Sequence, residues 1–269
     1  MSEVMSMIKA GEHPAIGMIQ FEPLPDSSRW RNGTLGAVLE PALEEAEMLV
    51  KNGIEILMVQ NLHDIPVADR VTNAQVAWTT RIINEIRHHH KVPVGLNFQE
   101  NDAEGMFAVA SATDVDFIRI KIFVGGMMAP WGPYTSQAHV ALKSRIRFGA
   151  DKVAIFADVH DRTGTPMTNG GFDQDVKYAV ELNGADGLVL TGKDYDETLD
   201  YCRRARQVAG DIPILVGGSV TAANWGEVTS IANGAIVSST MKGSGKSFGK
   251  LDPEKIRAFV SATRNKKAA

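Results

Sequence analysis

The chain has 269 residues, 44% of them hydrophobic, a length above that of a typical single sandwich and close to the roughly 250 residues of one closed α/β barrel. A formal charge of −4 and a pI near 6.0 exclude the broad basic face that nucleic acid requires, and Lys266-Lys267 reads as a frayed tail. The single cysteine, Cys202, rules out an intrachain disulfide, no apolar stretch reaches membrane-span length, and Met1–Val4 opens no secretory signal, so a cytoplasmic protein is expected.

One domain is expected over 1–269, with short tails at 1–12 and 265–269. Eight short runs rich in Ile, Val, Leu and Met follow in chain order: Pro14–Ile19, Ile54–Val59, Val92–Phe98, Phe117–Ile122, Val153–Ala157, Gly187–Thr191, Ile212–Val216 and Gly234–Val237. Such runs are the pattern of parallel strands buried on both faces. After the first, Leu35, Leu39, Leu43, Ala46 and Val50 recur at helical spacing; after the second, a Thr72-x-x-Gln75 capping box precedes Val76, Ile82, Ile83 and Ile86. His88-His89-His90 closes that helix, where cations suit the dipole. Cys202 shares helical spacing with Leu199 and Val208 and is expected in the core. Trp225, Val228 and Ile231 mark a later helix, and Asp252-Pro253 opens the last.

Gly53, Gly149, Gly184 and Gly234 each precede a strand, where a terminating helix needs a positive φ. Helices alternating with strands predict an α/β fold, the (β/α)8 TIM barrel, with an open doubly wound sheet as competitor.

Chemistry is then expected where strands end. The stretches Ile212–Val220 and Asn233–Thr240 are apolar runs that finish in small residues, as do the phosphate-gripping loops after strands seven and eight of such barrels. Backbone N–H groups of Gly217, Gly218, Ser219, Ser238 and Ser239 are expected to hold an anion, with a helix beginning near Thr221 aiming its positive end at it. Period-two alternation puts Arg119 and Lys121 in one direction and Asp158 and His160 in another. Asp158 is read as a general base and His160 as its partner acid, with Arg119 and Lys121 holding a developing enediolate. Asn61, Asn97 and Thr191, polar groups at other strand ends, are assigned to substrate binding.

Each assignment has a plainer competitor. Asp158 and His160 could tie down loops, Lys121 could neutralise Asp158, and Gly217-Gly218 could serve close packing. His63-Asp64 reads as a loop hydrogen bond rather than a metal pair, since adjacent side chains point apart. No cofactor is expected; a divalent metal is left open. Two loops carry functional weight. Gly125–Tyr134 exposes large apolar groups unless it covers a ligand or meets another subunit, which suggests a homo-oligomer. Asp161–Gly171 is polar and glycine-bearing, as a mobile lid would be.

The motifs Gly17-Met-Ile-Gln-Phe-Glu-Pro-Leu-Pro25, Gln60-Asn-Leu-His-Asp64, Leu96-Asn-Phe-Gln-Glu-Asn-Asp102, Asp116-Phe-Ile-Arg119, Ala157-Asp-Val-His160, Leu190-Thr-Gly192, Val216-Gly-Gly-Ser-Val220 and Gly234-Ala-Ile-Val-Ser-Ser239 occur in this order. Together they resemble the BtpA/SgcQ family from about residue 14 to residue 260. The resemblance implies a barrel akin to the ribulose-phosphate-binding barrels. The family is named after a protein needed for photosystem I biogenesis, and other members are encoded beside sugar-metabolism genes. Against the family pattern, Gln20 stands where His is usual, Gln60 where Glu is usual, and Lys121 where Asn or Glu is usual. The loss of a His and a carboxylate leaves Asp158 and His160 to carry proton transfer.

The expected function is isomerisation or epimerisation of a sugar phosphate or similar small phosphorylated metabolite. Two alternatives stand beside it: a Schiff-base aldolase using Lys121, and a non-catalytic assembly or scaffold factor of the kind the family's namesake suggests.

Overall fold

A computed structural model describes residues 1–31 and 33–265. Helix α1 (Glu3–Lys9) precedes β1 (Ala15–Gln20), α2 (Leu35–Lys51), β2 (Ile56–Gln60), α3 (Asn73–His89), β3 (Val94–Asn97), α4 (Ala103–Thr113) and β4 (Phe117–Ile120). A hairpin of β5 (Gly126–Ala129) and β6 (Gly132–Thr135) leads to α5 (Ala138–Arg147), β7 (Ala154–Asp158), β8 (Thr165–Met167) and α6 (Gly171–Lys177), which continues as a π-helical turn to Leu182. Then come β9 (Gly187–Leu190), α7 (Tyr195–Ala209), β10 (Ile214–Val216), α8 (Trp225–Ile231), β11 (Gly234–Val237) and α9 (Pro253–Asn265). Strands β1, β2, β3, β4, β7, β9, β10 and β11 close into a parallel barrel, β11 pairing back onto β1. The fold is the TIM barrel, and its strands are the eight apolar runs of the sequence with ends shifted by a residue or two.

The barrel wall alternates strictly. Ile16, Met18, Ile56, Met58, Phe117, Phe156, Val189, Leu215 and Ile236 fill the interior, while Ile19, Leu57, Val59 and Leu188 pack outward against the helices. Two glycines make room for the interior rings. A Cβ on Gly95 would sit 2.2 Å from the Phe117 ring, and one on Gly187 would sit 2.5 Å from Phe156. Gly53, Gly149 and Gly184 have the expected positive φ, but Gly234 does not. Its missing Cβ instead lets the backbone approach Pro14, whose carbonyl oxygen would lie 2.5 Å from it.

Residues 1–12, expected as a tail, build α1 instead. Ser2 Oγ accepts from Met5 N (3.2 Å), and the Asp116 carboxylate accepts from Glu3 N (2.6 Å) and Val4 N (2.9 Å). Val4, Met5 and Ile8 then join the interior cluster and close one end of the barrel. Seven residues, about two helical turns, are too short for a periodicity signal. At the other terminus α9 runs to Asn265, and the expected tail beyond it, Lys266-Lys267 included, lies outside the described residues. Helix α2 is rotated from the expected stripe: Val38, Ala42, Ala46 and Leu49 are buried, while Leu35, Leu39, Leu43 and Val50 flank them. The alanines allow close approach to the sheet and the leucines straddle it. Cys202 is buried, and burial pushes its thiol up to about 12. Among the described residues no helix is long and apolar enough to cross a membrane.

The two functional loops of the sequence meet each other. β5 pairs antiparallel with β6 on one side and β8 on the other, giving a three-stranded sheet over the barrel mouth. Met127, Ala129, Tyr134 and Ile122 bury one face of it with Val67 and Trp131. The apolar groups expected to meet a ligand or a second subunit are thus largely covered by the chain itself, leaving Met128 and Met167 about half exposed.

Candidate active site at the barrel mouth

One strand step above the apolar layer the interior turns polar. Gln20, Gln60 and Asn97 are neighbours in register on β1, β2 and β3. Gln20 Nε2 donates to Gln60 Oε1 (3.1 Å), Gln60 Nε2 to Asn97 Oδ1, and Asn97 Nδ2 to the Arg119 carbonyl (2.8 Å). Arg119 donates twice to Asp158, Nε to Oδ1 at 2.8 Å and Nη2 to Oδ2 at 2.6 Å. All five side chains are buried.

Gln20, Gln60 and Arg119 border a cavity of about 160 Å3 at the C-terminal mouth, floored by Met18 and Ile236 and roofed in part by Trp131, whereas Asp158 and Asn97, the latter assigned to substrate binding in the sequence, do not line it. Lys121 lies in its wall, held by two hydrogen bonds and an ion pair: Nζ donates to Thr163 Oγ1 (3.1 Å) and Gln99 Oε1 (3.4 Å) and lies 3.6 Å from Asp161 Oδ1. Asp161 also lies 3.6 Å from Arg119 Nη2. Burial alone would raise the Asp161 carboxyl, but Lys121, Arg119 and two hydrogen bonds from Thr163 reverse this and hold it well below the usual carboxylate range. Asp158 lies behind Arg119; there burial dominates and pushes the carboxyl up to about 6, with Arg119 opposing.

The opposite wall is made by the ends of β9, β10 and β11. Gly217 N–H is not free for a ligand: it donates to the Leu190 carbonyl at 3.0 Å, because the barrel ladder runs one residue beyond β10. The N–H groups of Gly218, Ser219, Ser238 and Ser239 find no acceptor among the described residues. Gly217 is small for packing, since a Cβ there would stand 2.1 Å from Thr191 Oγ1. Among the described residues Thr191 Oγ1 and Ser238 Oγ are buried without a partner, as is Gln20 Oε1, and all three residues line the cavity. The helix expected near Thr221 begins only at Trp225. Thr221 and Asn224 instead cap one another, Thr221 N to Asn224 Oδ1 at 2.7 Å, and Asn224 Nδ2 holds the Ser219 carbonyl at 2.9 Å.

With this geometry established, the chain can be set beside known proteins. Residues 11–265, nearly the whole chain, match the BtpA family. The chain belongs to that family. It is 33% identical over 253 residues to the photosystem I biogenesis protein BtpA of Synechocystis sp., covering 93% of this chain and 88% of that protein. Phosphoribosylanthranilate isomerase of Thermotoga maritima superposes with a TM-score of 0.55 at 14% identity, over 94% of this chain and 99% of the other. The same enzyme from Pyrococcus furiosus gives 0.55 at 17%, over 94% and 100%. At such identities the structural likeness shows the fold alone.

Of the residues singled out in the sequence, the fold brings Arg119, Lys121, Thr191, Gly217, Gly218, Ser219, Ser238 and Ser239 around one cavity. It does not bring His160 there. The strand ends at Asp158 and the backbone turns left-handed at His160 (φ 57°), so period-two alternation stops one residue too early. His160 Nε2 instead pairs with Asp175 Oδ2 at 2.8 Å, against Phe172 and Tyr201. Asn61 also faces away, donating to Asp64 and Glu100 (both 2.9 Å) and accepting from Gln99 N (2.9 Å). Asp64 accepts from Leu24 N at 2.8 Å, the loop hydrogen bond expected of it.

Sequence reasoning passed over Gln99, Asp161, Arg162 and Thr163. Gln99 is two residues beyond Asn97 and shares its direction, a signal that alternation offered. The other three sit at the start of a stretch read only as a lid.

Proposed function

We propose that this chain is an enzyme that binds a small phosphorylated metabolite, of the sugar-phosphate class, and moves a proton next to its carbonyl, as an isomerase or epimerase does. One observation carries the reading: a single cavity has free backbone N–H groups of two strand-end loops on one wall and a Lys121–Asp161 pair on the other. The phosphate would sit against Gly218, Ser219, Ser238 and Ser239, where small residues permit close backbone approach. The carbonyl would sit toward Lys121 and Arg119.

In this reading Asp161, the carboxylate that lines the cavity, takes the role first given to Asp158, which stays behind Arg119 as its counter-ion. Lys121 and Arg119 hold the Asp161 carboxyl low in the free chain, so it takes a proton only as the enediolate gains the negative charge that Asp161 loses. The two cations that had paired with Asp161 are then free to stabilise the new charge, without moving. Lys121 acts as a fixed cation, since two hydrogen bonds and the Asp161 ion pair already hold it, an arrangement that favours electrostatic work over attack as a free amine.

The test is a thermal-shift screen of phosphorylated sugars, since a ligand held only by the folded chain raises its apparent stability, followed by NMR of the hits in deuterated water. Deuterium entering at the carbon beside the carbonyl is the expected result. Binding without exchange at that carbon would refute proton transfer.

A further inference from the structure

We propose that the cavity selects a monophosphate ester whose other end is uncharged, and that Arg162 provides the charge that reads the phosphate. This rests on the phosphate reading above and narrows its substrate class.

The argument is one of charge. Among the described residues, the ionisable side chains lining the cavity are Arg119, Lys121, Asp161 and Arg162. Arg119 is matched by Asp158 through two hydrogen bonds, and Lys121 by Asp161 at 3.6 Å. Two cations and two carboxylates leave the deep half without net charge. Around it stand amides and hydroxyls: Gln20, Gln60, Gln99 and Thr163. A neutral carbonyl or hydroxyl group entering there exchanges hydrogen bonds with them. A carboxylate entering there meets the Asp161 and Asp158 charges with no spare cation to answer it, and loses its hydration as well.

The other half has the opposite balance. Arg162 makes no ion pair with any described carboxylate, and its guanidinium lies against the Gly218 backbone: a Cβ built on Gly218 would stand 3.1 Å from Nη2 and 3.4 Å from Cζ. An uncompensated cation thus rests on the loop whose N–H groups are free. Guanidinium and backbone donors on one spot suit a phosphate, and the planar fork permits bidentate contact. Arg162 also sits between Asp161 and Thr163 on the segment leading to β8, so a phosphate held by it is joined through that segment to the wall of the deep half.

Isothermal titration of the whole chain with inorganic phosphate, glycerol, glycerol phosphate and the phosphoglycerate of matching length separates the outcomes. The two esters share a phosphate and differ at the far end, a hydroxymethyl group in one and a carboxylate in the other. The expected result is that inorganic phosphate competes with both, that glycerol does not bind measurably, and that phosphoglycerate binds about tenfold or more weakly than glycerol phosphate. Arg162→Ala should weaken both esters by a similar factor, and Asp161→Asn should shrink or reverse the gap between them. Phosphoglycerate binding as tightly as glycerol phosphate, with phosphate competition intact, would overturn this inference and leave the phosphate reading standing. Glycerol binding as well as its ester, or no binding by inorganic phosphate and both esters, would remove the phosphate reading and this inference with it.

Discussion

Two layers of the same barrel interior, one strand step apart, do opposite work. In the lower, Phe117, Phe156, Val189, Leu215 and Ile236 pack with the plug of α1 and carry no polar side-chain atom. In the upper, Gln20, Gln60, Asn97, Arg119, Asp158, Thr191 and Ser238 extend the same alternation and are almost entirely polar. The strand ends hold polar groups that water could not reach lower down, and the lower layer fixes the strands that position them. Stability and chemistry are therefore separable by depth, which substitutions can test.

The largest effect is expected from Asp161→Asn. Loss of a general base costs about 10²–10⁴ in kcat, while the phosphate end keeps its donors, so KM should change far less. The variant leaves buried Lys121 without its carboxylate partner and should also melt earlier. Rates are therefore compared per folded molecule, with circular dichroism at the assay temperature. Unchanged kcat on the folded fraction would return Asp161 to a purely structural role.

A paired glycine test follows. Gly95→Ala drives a methyl into the Phe117 ring and should cost about 1–3 kcal/mol in chemical denaturation. Gly218→Ala meets only the flexible end of Arg162 and should leave stability within about 0.5 kcal/mol while weakening phosphate esters severalfold. Equal loss of stability in both would erase the distinction between layers.

How far the two layers were legible in the sequence differs as well. The lower layer was plain, because Ile, Val and Phe runs of strand length between capped helices admit few other folds. The upper was legible only as far as the strands stay straight. Arg119 and Lys121 obey alternation and both reach the cavity, whereas His160 lies beyond the last β7 residue, where a left-handed turn redirects it. Asp161 was invisible for the same reason: its direction comes from that turn. Gly217 was misread because small residues serve ladder and ligand alike, and only the hydrogen bond to Leu190 tells which. Helix α1 was hidden by its length.

A smaller effect, dependent on pH, concerns the wall behind the upper layer. Glu100 is buried beside Asp64, with Asn61 and Gln75 donating to both carboxyls and Tyr134 nearby. Burial pushes Glu100 up to about 7 and raises Asp64 too. A carboxyl raised in the folded state favours folding when protonated. Its contribution is therefore complete below 4.5 and is lost as pH rises through 7. Asp158, pushed up to about 6, acts in the same direction but lower. Unfolding free energy should fall by on the order of 1–2 kcal/mol between pH 6 and the range above 7. In Glu100→Gln that slope should flatten, whatever the variant loses overall from one ill-matched amide contact. An unchanged slope would assign the pH dependence elsewhere.

The smallest effect is the sharpest comparison, because it exchanges the same two residue types within one strand. On β9 and its end, Val189 belongs to the lower layer and Thr191 to the upper, both facing inward and both buried. Thr191 Oγ1 has no partner among the described residues, so it already bears the cost of an unsatisfied hydroxyl. Thr191→Val removes that cost at nearly equal volume and should leave the melting temperature unchanged or slightly higher. If the hydroxyl serves the ligand, affinity for a phosphate ester should fall by about fivefold, near 1 kcal/mol. Val189→Thr does the reverse, burying a hydroxyl among Phe156, Leu215 and Ile236. It should destabilise the fold by about 1–3 kcal/mol and leave ligand affinity alone. The two exchanges together predict opposite signs in stability and an effect on binding in one only. A Thr191→Val chain that melts earlier while binding its ester unchanged would show that the upper layer is built for the fold, as the lower one is.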